Sequence, residues 1–381
     1  MSCQISLFNY SGCYRTGETI TGVVEAHFNV QKTIKGVKIR LKCVESTSWE
    51  ESSSTYNSTT KTDETTTTNY SGHNELLRNE IWLYRDSHIG PGSFKWPFSF
   101  NLPQNLPSSY KGIYGKIEYL LKATVDRNYR FLYESKANIV VFSPVYLHAL
   151  SPYFDEPHQT AAEKTLGFFC CKKGIVKFEM HLPKRGFVVG ENICIRVVVT
   201  NLSKVNIKNL KFKLVQTNKS KATHPRTEYK CNRVTLAKHT DKGIGAHGEH
   251  DFIVQLLVPT DKIIPNFLYA GLFESSYTIE GSCVFDGFHT NLKLEIVPFI
   301  GHQKYPQENA SQSYIPPCHL QQTNTNQTWI TKTETVGDLP PPYEPDPFTQ
   351  SSNKIGFHEG VTVPSAPYES DMPSVHLSIK Y

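Results

Sequence analysis

The sequence predicts an all-β protein of two tandem antiparallel immunoglobulin-like β-sandwiches, followed by a disordered, proline-rich C-terminal tail. Three observations predict this architecture: apolar and polar residues alternate in many short segments, an N-terminal stretch recurs later in the chain, and the composition changes after Pro298. The expected boundaries are 1–150 and 175–298 for the sandwiches, 151–174 for a linker and 299–381 for the tail.

The alternation is clearest in GVKIRLKCV, Gly36 to Val44, where apolar residues take turns with Lys38, Arg40 and Lys42. A period of two places the apolar side chains on one face of a strand and the charged ones on the other. Four further segments are strand-like: Phe94–Leu102, Ile193–Thr200, Lys211–Gln216 and Asp251–Val258. The best helical candidate is a short turn near Ala161 to Leu166. Short strands separated by Gly, Pro and Asn clusters favour antiparallel sandwiches.

The repeat relates Tyr14–Leu41 to Phe187–Leu214 at a constant offset of 173 residues. This offset aligns the Gly-Glu pair that starts at Gly17 with the pair that starts at Gly190. Two copies of one sandwich explain the pattern better than chance, and each copy is long enough to bury its own core.

The composition of the tail differs from that of both copies. Residues 299–381 contain 11 of the 23 prolines, with many Gln, Asn, Ser and Thr residues and few aliphatic ones. Such a segment buries too little apolar surface to offset the entropy of ordering, which predicts disorder.

Charge and cysteine content limit the classes of function. The net charge is +5, but residues 172–298 carry 19 basic and 11 acidic residues, and residues 299–381 carry 4 and 8. A basic domain suggests phosphate-bearing partners, although the absence of a recognition motif means that no nucleic acid is expected. The nine cysteines are irregularly spaced, which predicts reduced thiols in the cytosol and no metal site. No signal peptide and no membrane span are recognised.

No motif indicates an enzyme or a cofactor. The glycine-rich segment Gly243–Gly248 matches a dinucleotide-binding pattern, but a strand-like segment follows it where a phosphate-binding helix would be needed. No pairing of a nucleophile with a base is visible in the sequence. We therefore expect neither catalytic residues nor a bound cofactor.

Three motifs carry a resemblance to a known family: Y-x-x-G-E-x-I-x-G at Tyr14–Gly22, G-x-Y-G-K-I-E-Y-L-L-K-A at Gly112–Ala123, and the junction at Gly167–Ile193. Together they resemble the arrestin family, and the junction resembles its arrestin-domain-containing branch, the α-arrestins. The resemblance covers about residues 1–298. It implies the arrestin fold and a cytosolic adaptor that is recruited to the plasma membrane and endosomes, where it binds membrane-protein cargo.

The tail segment LPPPYEPD contains Pro340, Pro341, Pro342 and Tyr343, which fit the Pro-Pro-x-Tyr ligand of WW domains. Consecutive prolines favour a preformed polyproline II helix, so they enter an aromatic groove with little loss of entropy. The family resemblance implies that the partner is a HECT-type ubiquitin ligase with WW domains. Ubiquitination would then direct cargo to endocytosis and lysosomal sorting.

A second tail motif consists of Pro364, Ser365, Ala366 and Pro367. Pro-Ser-Ala-Pro resembles the ligand of the UEV domain in the ESCRT machinery. A chance tetrapeptide in a proline-rich tail is the alternative interpretation.

Two basic strand faces occur at corresponding places in the two copies. Lys38, Arg40 and Lys42 form what we call the first basic row, and the second basic row is Lys208, Lys211 and Lys213. They are candidates for a cargo or phospholipid surface, and the alternative is a solvated face without a partner.

Two further segments leave alternatives open. Sixteen of the 26 residues from Ser46 to Ser71 are Ser or Thr, which predicts a long flexible hairpin loop or a loop regulated by phosphorylation. Cys170 and Cys171, beside basic residues, are either S-acylated or buried thiols. A ligase-independent regulator that binds thioredoxin through a cysteine is the alternative function, with Cys231 and Cys283 as unassigned candidates.

Overall fold

The computed structural model describes residues 2–303, apart from residues 9, 87, 128–129, 148–151 and 167–173. The described chain consists almost entirely of β-strands in antiparallel sheets, which confirms the predicted all-β fold. A 3-10 turn spans Pro152–Asp155. Within the described ranges, no helix has the length and hydropathy of a membrane span.

The described part of the first sandwich contains twelve strands: β1 Ser2–Phe8, β2 Tyr14–Arg15, β3 Thr19–Phe28, β4 Lys32–Thr33, β5 Gly36–Asn57, β6 Thr62–Tyr84, β7 His88–Ile89, β8 Gly92–Asn101, β9 Tyr110–Lys111, β10 Gly115–Arg127, β11 Arg130–Ile139 and β12 Val141–Phe142. One main sheet has the order β1-β3-β8 and the other β11-β10-β5-β6. Alternate residues of each strand point inwards, so that fully buried side chains such as Ile20, Leu41 and Leu121 fill the space between the sheets.

Among its described residues, the second sandwich contains ten strands: β13 His158–Leu166, β14 Gly174–Leu182, β15 Gly186–Val188, β16 Asn192–Asn201, β17 Ile207–Ala222, β18 Glu228–Ile244, β19 Glu249–Leu257, β20 Phe273–Phe285, β21 Leu292–Ile296 and β22 Phe299–Gly301. Its main sheets have the orders β13-β14-β16-β19 and β18-β17-β20-β21. Phe178, Phe212 and Ile279 are fully buried in its core.

The structure explains the Gly-Glu pair that recurs in the sequence repeat. Gly17 and Gly190 both adopt a left-handed backbone conformation, with φ of 91° and 84°, which favours glycine. In each copy the following glutamate closes the turn, because a carboxylate oxygen of Glu18 accepts from the N–H of Arg15, and one of Glu191 accepts from the N–H of Val188.

Two sequence interpretations are wrong. The helical candidate near Ala161 to Leu166 lies in β13, which pairs with β14 over its whole length. Strand structure therefore begins inside the segment that was interpreted as the linker.

Residues 46–71 do not form a flexible loop either, because β5 and β6 pair continuously to Asn57 and Thr62, and only four residues form the turn. The abundant Thr residues favour paired strands, and cross-strand hydroxyls such as Ser52 and Thr67 lie 3.1 Å apart.

Candidate binding surfaces

Three of the predicted sites lie outside the described residues. They are the WW-ligand motif Pro340–Tyr343, the UEV-ligand motif Pro364–Pro367 and the cysteine pair Cys170 and Cys171. The structure therefore bears on the two basic rows, on the junction between the sandwiches and on the six cysteines among the described residues.

The first basic row lies on the outer face of β5 and is half-buried. Carboxylates from the neighbouring strands neutralise it. Lys38 Nζ lies 3.5 Å from Glu80 and 3.3 Å from Asp126, and Arg40 Nε donates a 2.6 Å hydrogen bond to Glu80. Each basic residue of this row therefore already has an acidic partner, which for Lys42 is Glu75.

The pair formed by Lys42 and Glu75 illustrates why this row is neutral. Lys42 Nζ lies 2.5 Å from the Glu75 carboxylate, and Arg78 approaches the other carboxylate oxygen at 3.5 Å. The hydrogen bond from Lys42 holds the pKa of Glu75 below its ordinary value, which keeps the carboxylate ionised.

The second basic row lies on β17 and is exposed at all three positions. Its inward neighbours Leu210, Phe212 and Leu214 are fully buried, so the strand is fixed while its lysines extend into solvent. Among the described residues, no carboxylate forms an ion pair with Lys208, Lys211 or Lys213.

The strands beside β17 increase the positive charge of this face. Lys238 of β18 lies opposite Lys213, and Thr240 lies opposite Lys211. On the other side, Ser282 lies opposite Lys211, and Glu280 lies opposite Lys213. The Glu280 carboxylate is bound by Arg233, so it does not neutralise the row.

Three more exposed lysines of the same sandwich form no ion pair within the described chain: Lys238, Lys242 and Lys293. Unneutralised lysines on one face create a positive potential that attracts phosphate and carboxylate groups, and the attraction weakens as salt is added. The second basic row therefore leaves unneutralised positive charge at the surface, whereas the first basic row offers little.

The junction between the sandwiches depends on a residue that the sequence analysis missed. Glu45 of β5 is fully buried, and its carboxylate accepts hydrogen bonds from the N–H groups of Gly271 (2.8 Å) and Leu272 (3.0 Å) and from Asn74 Nδ2 (2.7 Å). The sequence contained a signal for its burial, because Glu45 is the next residue in the series Val37, Ile39, Leu41 and Cys43 whose side chains point inwards. A charged residue at a buried position needs such partners.

Further contacts hold the junction together. Thr47 donates a 2.7 Å hydrogen bond to the Lys221 carbonyl. Ser71 of β6 exchanges backbone hydrogen bonds with His224 in the turn between β17 and β18. Trp49, Tyr70 and Ala222 form a small buried cluster beside these bonds. The extension of β5 and β6 beyond the first sandwich therefore packs against the second.

A buried histidine joins three parts of the chain near the same junction. His302 Nδ1 accepts from the Val145 N–H (3.0 Å), and its Nε2 lies 2.8 Å from the Ile264 carbonyl. This pattern requires the neutral ring, and burial lowers the pKa of His302 to about 4.

The cysteines differ in accessibility. Cys43 and Cys283 are fully buried, and burial raises the pKa of each thiol to about 12. Cys231 on β18 is exposed. Within the described ranges, no cluster of three or more His, Cys, Asp or Glu side chains could hold a metal ion.

In the comparison with known proteins, each sandwich matches a family model. Residues 3–148 match the family model described as Arrestin (or S-antigen), N-terminal domain, and residues 172–305 match Arrestin (or S-antigen), C-terminal domain. Arrestin domain-containing protein 1 of Homo sapiens is 24% identical over 263 residues, which is 67% of this chain and 55% of that protein.

Two further relatives match shorter stretches. Arrestin domain-containing protein 17 of Caenorhabditis elegans is 33% identical over 154 residues, 40% of this chain and 36% of that protein. Arrestin domain-containing protein 5 of Homo sapiens is 25% identical over 137 residues, 36% of this chain and 40% of that protein. Across the three relatives, the matched stretches span between 36% and 55% of each relative's own length.

Proposed function

The chain belongs to the arrestin family, in its arrestin-domain-containing (α-arrestin) branch, and we propose that it is an adaptor which brings a WW-domain HECT-type ubiquitin ligase to membrane-protein cargo. The observation that carries this proposal is the presence, in one chain, of two arrestin domains and a Pro-Pro-x-Tyr motif at Pro340–Tyr343. Ubiquitinated cargo would then enter endocytosis and lysosomal sorting.

The proposed mechanism is tethering. The sandwiches bind cargo while the tail binds the ligase, so that ubiquitin transfer occurs between molecules held on one chain. Linking two binding events in this way raises the effective concentration of the second partner to about the millimolar range for a short linker. The adaptor itself would need no catalytic residue and no cofactor.

The second basic row supports a role for the second sandwich in recruitment. Its unneutralised lysines suit anionic lipid headgroups or acidic cargo segments near a membrane. The proposed location is therefore the cytoplasm, with recruitment to the plasma membrane and endosomes. Pro364–Pro367 would add a contact to an ESCRT UEV domain during sorting.

The ligase interaction is tested by Tyr343→Ala in the full-length protein. A WW pocket that receives the phenol ring loses its anchor, so pull-down of WW-domain ligases should fall to background. Tyr314→Ala is the matched control, because it removes a tail tyrosine that is outside the motif. Retained ligase binding by Tyr343→Ala would reject the motif.

The exposure of Cys231 defines a test of the alternative function, a ligase-independent regulator that binds thioredoxin. Of the two cysteines considered for thioredoxin binding, Cys283 is buried with a raised pKa, and Cys231 is exposed. A ligase-independent regulator would use Cys231, since only an accessible thiol can form a mixed disulfide. Trapping of thioredoxin by the wild type but not by Cys231→Ser would support this alternative. Equal trapping by both proteins would argue against it.

A further inference from the structure

Strand β19 is an unpaired edge of its sheet. It pairs with β16 on one side, and no described strand pairs with it on the other. The N–H of Val258, which follows the strand, donates 2.9 Å to Glu191, and the Gly248 carbonyl accepts from Asn201, so the even-numbered residues direct their backbone groups towards β16. Because antiparallel pairing alternates, the N–H and C=O groups of Ile253, Gln255 and Leu257 point away from the sheet.

The side chains of the same three residues are also exposed. Ile253 is 66% exposed and Leu257 is 51% exposed, with the uncharged Gln255 between them. The alternate residues Val254 and Leu256 are buried in the core. The edge therefore presents free backbone groups and two large apolar side chains together.

This edge lacks the features that usually prevent strands from pairing between molecules. Proteins protect edges with lysines, prolines or bulges. β18, the edge strand of the opposite sheet, carries Lys230, Lys238 and Lys242 and pairs with β17 through a bulge. The segment Phe252–Val258 contains no charged residue and no proline.

We propose that β19 pairs antiparallel with β19 of a second copy of this chain, about a two-fold axis at Gln255. In this register Gln255 faces the partner's Gln255, and Ile253 faces the partner's Leu257. The four apolar side chains then cover one another, and about six backbone hydrogen bonds form. The two four-stranded sheets become one continuous sheet.

The charges beside the strand select this register. Centring the axis on Ile253 would place Asp251 opposite Gln255 and Glu249 opposite Leu257, which sets carboxylates against the apolar seam. With the axis at Gln255, Asp251 stays outside the seam and keeps its ion pair with Arg196. Pro259 has no N–H and ends the ladder at that point.

The interface is small compared with the about 1,600 Å² of a standard protein–protein interface, so we expect a weak dimer that dissociates on dilution. A dimer would carry two basic faces and two tails, and would therefore bind a membrane or a multivalent ligase more tightly than one copy does. The dimer itself does not depend on the proposed adaptor function, whereas this consequence for membrane and ligase binding rests on it.

Sedimentation velocity of the full-length protein over a range of concentrations tests the proposal. The wild type should change from monomer to dimer, and Gln255→Lys should raise the dissociation constant at least tenfold because two like charges meet at the axis. Thr235→Lys is the matched control, since it adds a lysine at an exposed position of the other edge strand, β18. It should dimerise as the wild type does. A wild type that stays monomeric, or a Gln255→Lys variant that dimerises equally well, overturns the proposal.

Residue-resolved hydrogen exchange gives a second readout that does not depend on a variant. The amides of Ile253, Gln255 and Leu257 should exchange quickly in dilute protein and become protected as concentration rises. Those of Val254 and Leu256, which are bonded to β16, should be protected at every concentration. Dimerisation without protection of the three edge amides would place the interface elsewhere and overturn the proposal.

Discussion

On β5 of the first sandwich, Lys38, Arg40 and Lys42 each contact a carboxylate from β6 or β10, whereas the second basic row on β17 has no such partner among the described residues. The two strands have the same alternation and occupy corresponding places in the repeat. The difference is in the neighbouring strands, which supply Glu75 and Glu80 in one copy and mainly lysine, threonine and serine in the other. A basic strand face therefore keeps its positive charge only where the neighbouring strands leave it without carboxylate partners.

The inward sides of the two strands should be equally important for folding, even though the outward sides differ. Phe212→Ala in β17 and Leu41→Ala in β5 each remove a fully buried side chain. The expected loss of unfolding free energy is about 3–5 kcal/mol for Phe212→Ala and about 2–5 kcal/mol for Leu41→Ala. Denaturant unfolding followed by circular dichroism measures both.

The comparison of inward sides has a simple control. Lys211→Ala, at an exposed position next to Phe212, should change stability by less than about 0.5 kcal/mol. A small effect of Phe212→Ala would mean that the core of the second sandwich is not packed as described.

Both strands continue towards the junction, where β5 buries Glu45. Glu45→Ala leaves the N–H groups of Gly271 and Leu272 without their acceptor and should cost about 2–4 kcal/mol. Hydrogen exchange at these two amides should accelerate, since their protection depends on the carboxylate. Glu50→Ala, at an exposed position on the same strand, is the control and should leave both amides unchanged. Unaltered exchange in Glu45→Ala would show that the carboxylate does not hold the junction.

The sequence predicts where strands lie better than it predicts which residues face each other across neighbouring strands. Period-two alternation was sufficient to locate the first part of β5 and parts of β17 and β19, because a strand with one buried face leaves its pattern in a single segment. Register across strands leaves no such pattern. The pairing of Arg40 with Glu80, forty residues later, determines whether the basic row is neutral, and only the fold brings them together.

The same reason explains the two errors and the residue that was missed. Residues 46–71 have the composition of a polar loop, yet they form the paired ends of β5 and β6, and the backbone groups of each strand hydrogen-bond to the other. The partner of Glu45 is a pair of backbone N–H groups more than two hundred residues away, and backbone groups carry no sequence signature.

The difference between the basic rows predicts unequal effects on membrane binding. Lys211→Ala combined with Lys213→Ala should weaken binding to vesicles containing anionic phospholipid by about thirtyfold, corresponding to about 1 kcal/mol for each lysine. Lys38→Ala combined with Arg40→Ala should change it less than about threefold, because these residues are already neutralised. Co-sedimentation with vesicles at low and high salt measures both. Equal effects of the two pairs would contradict the proposed asymmetry.

The smallest expected effect is a difference in pH dependence. The lowered pKa of Glu75 means that its ion pair with Lys42 stabilises the folded state above the ordinary carboxyl pKa of about 4.3 and is lost as pH falls through the lower folded value. Glu75→Gln should therefore cost less than about 1 kcal/mol at neutral pH, since the pair is partly exposed, and nothing in strong acid. Glu295→Gln, on the second sandwich, is the control, because it removes a carboxylate with no ion pair among the described residues. Thermal unfolding at several pH values measures both variants, and parallel curves for Glu75→Gln and the wild type would show that the ion pair contributes nothing in solution.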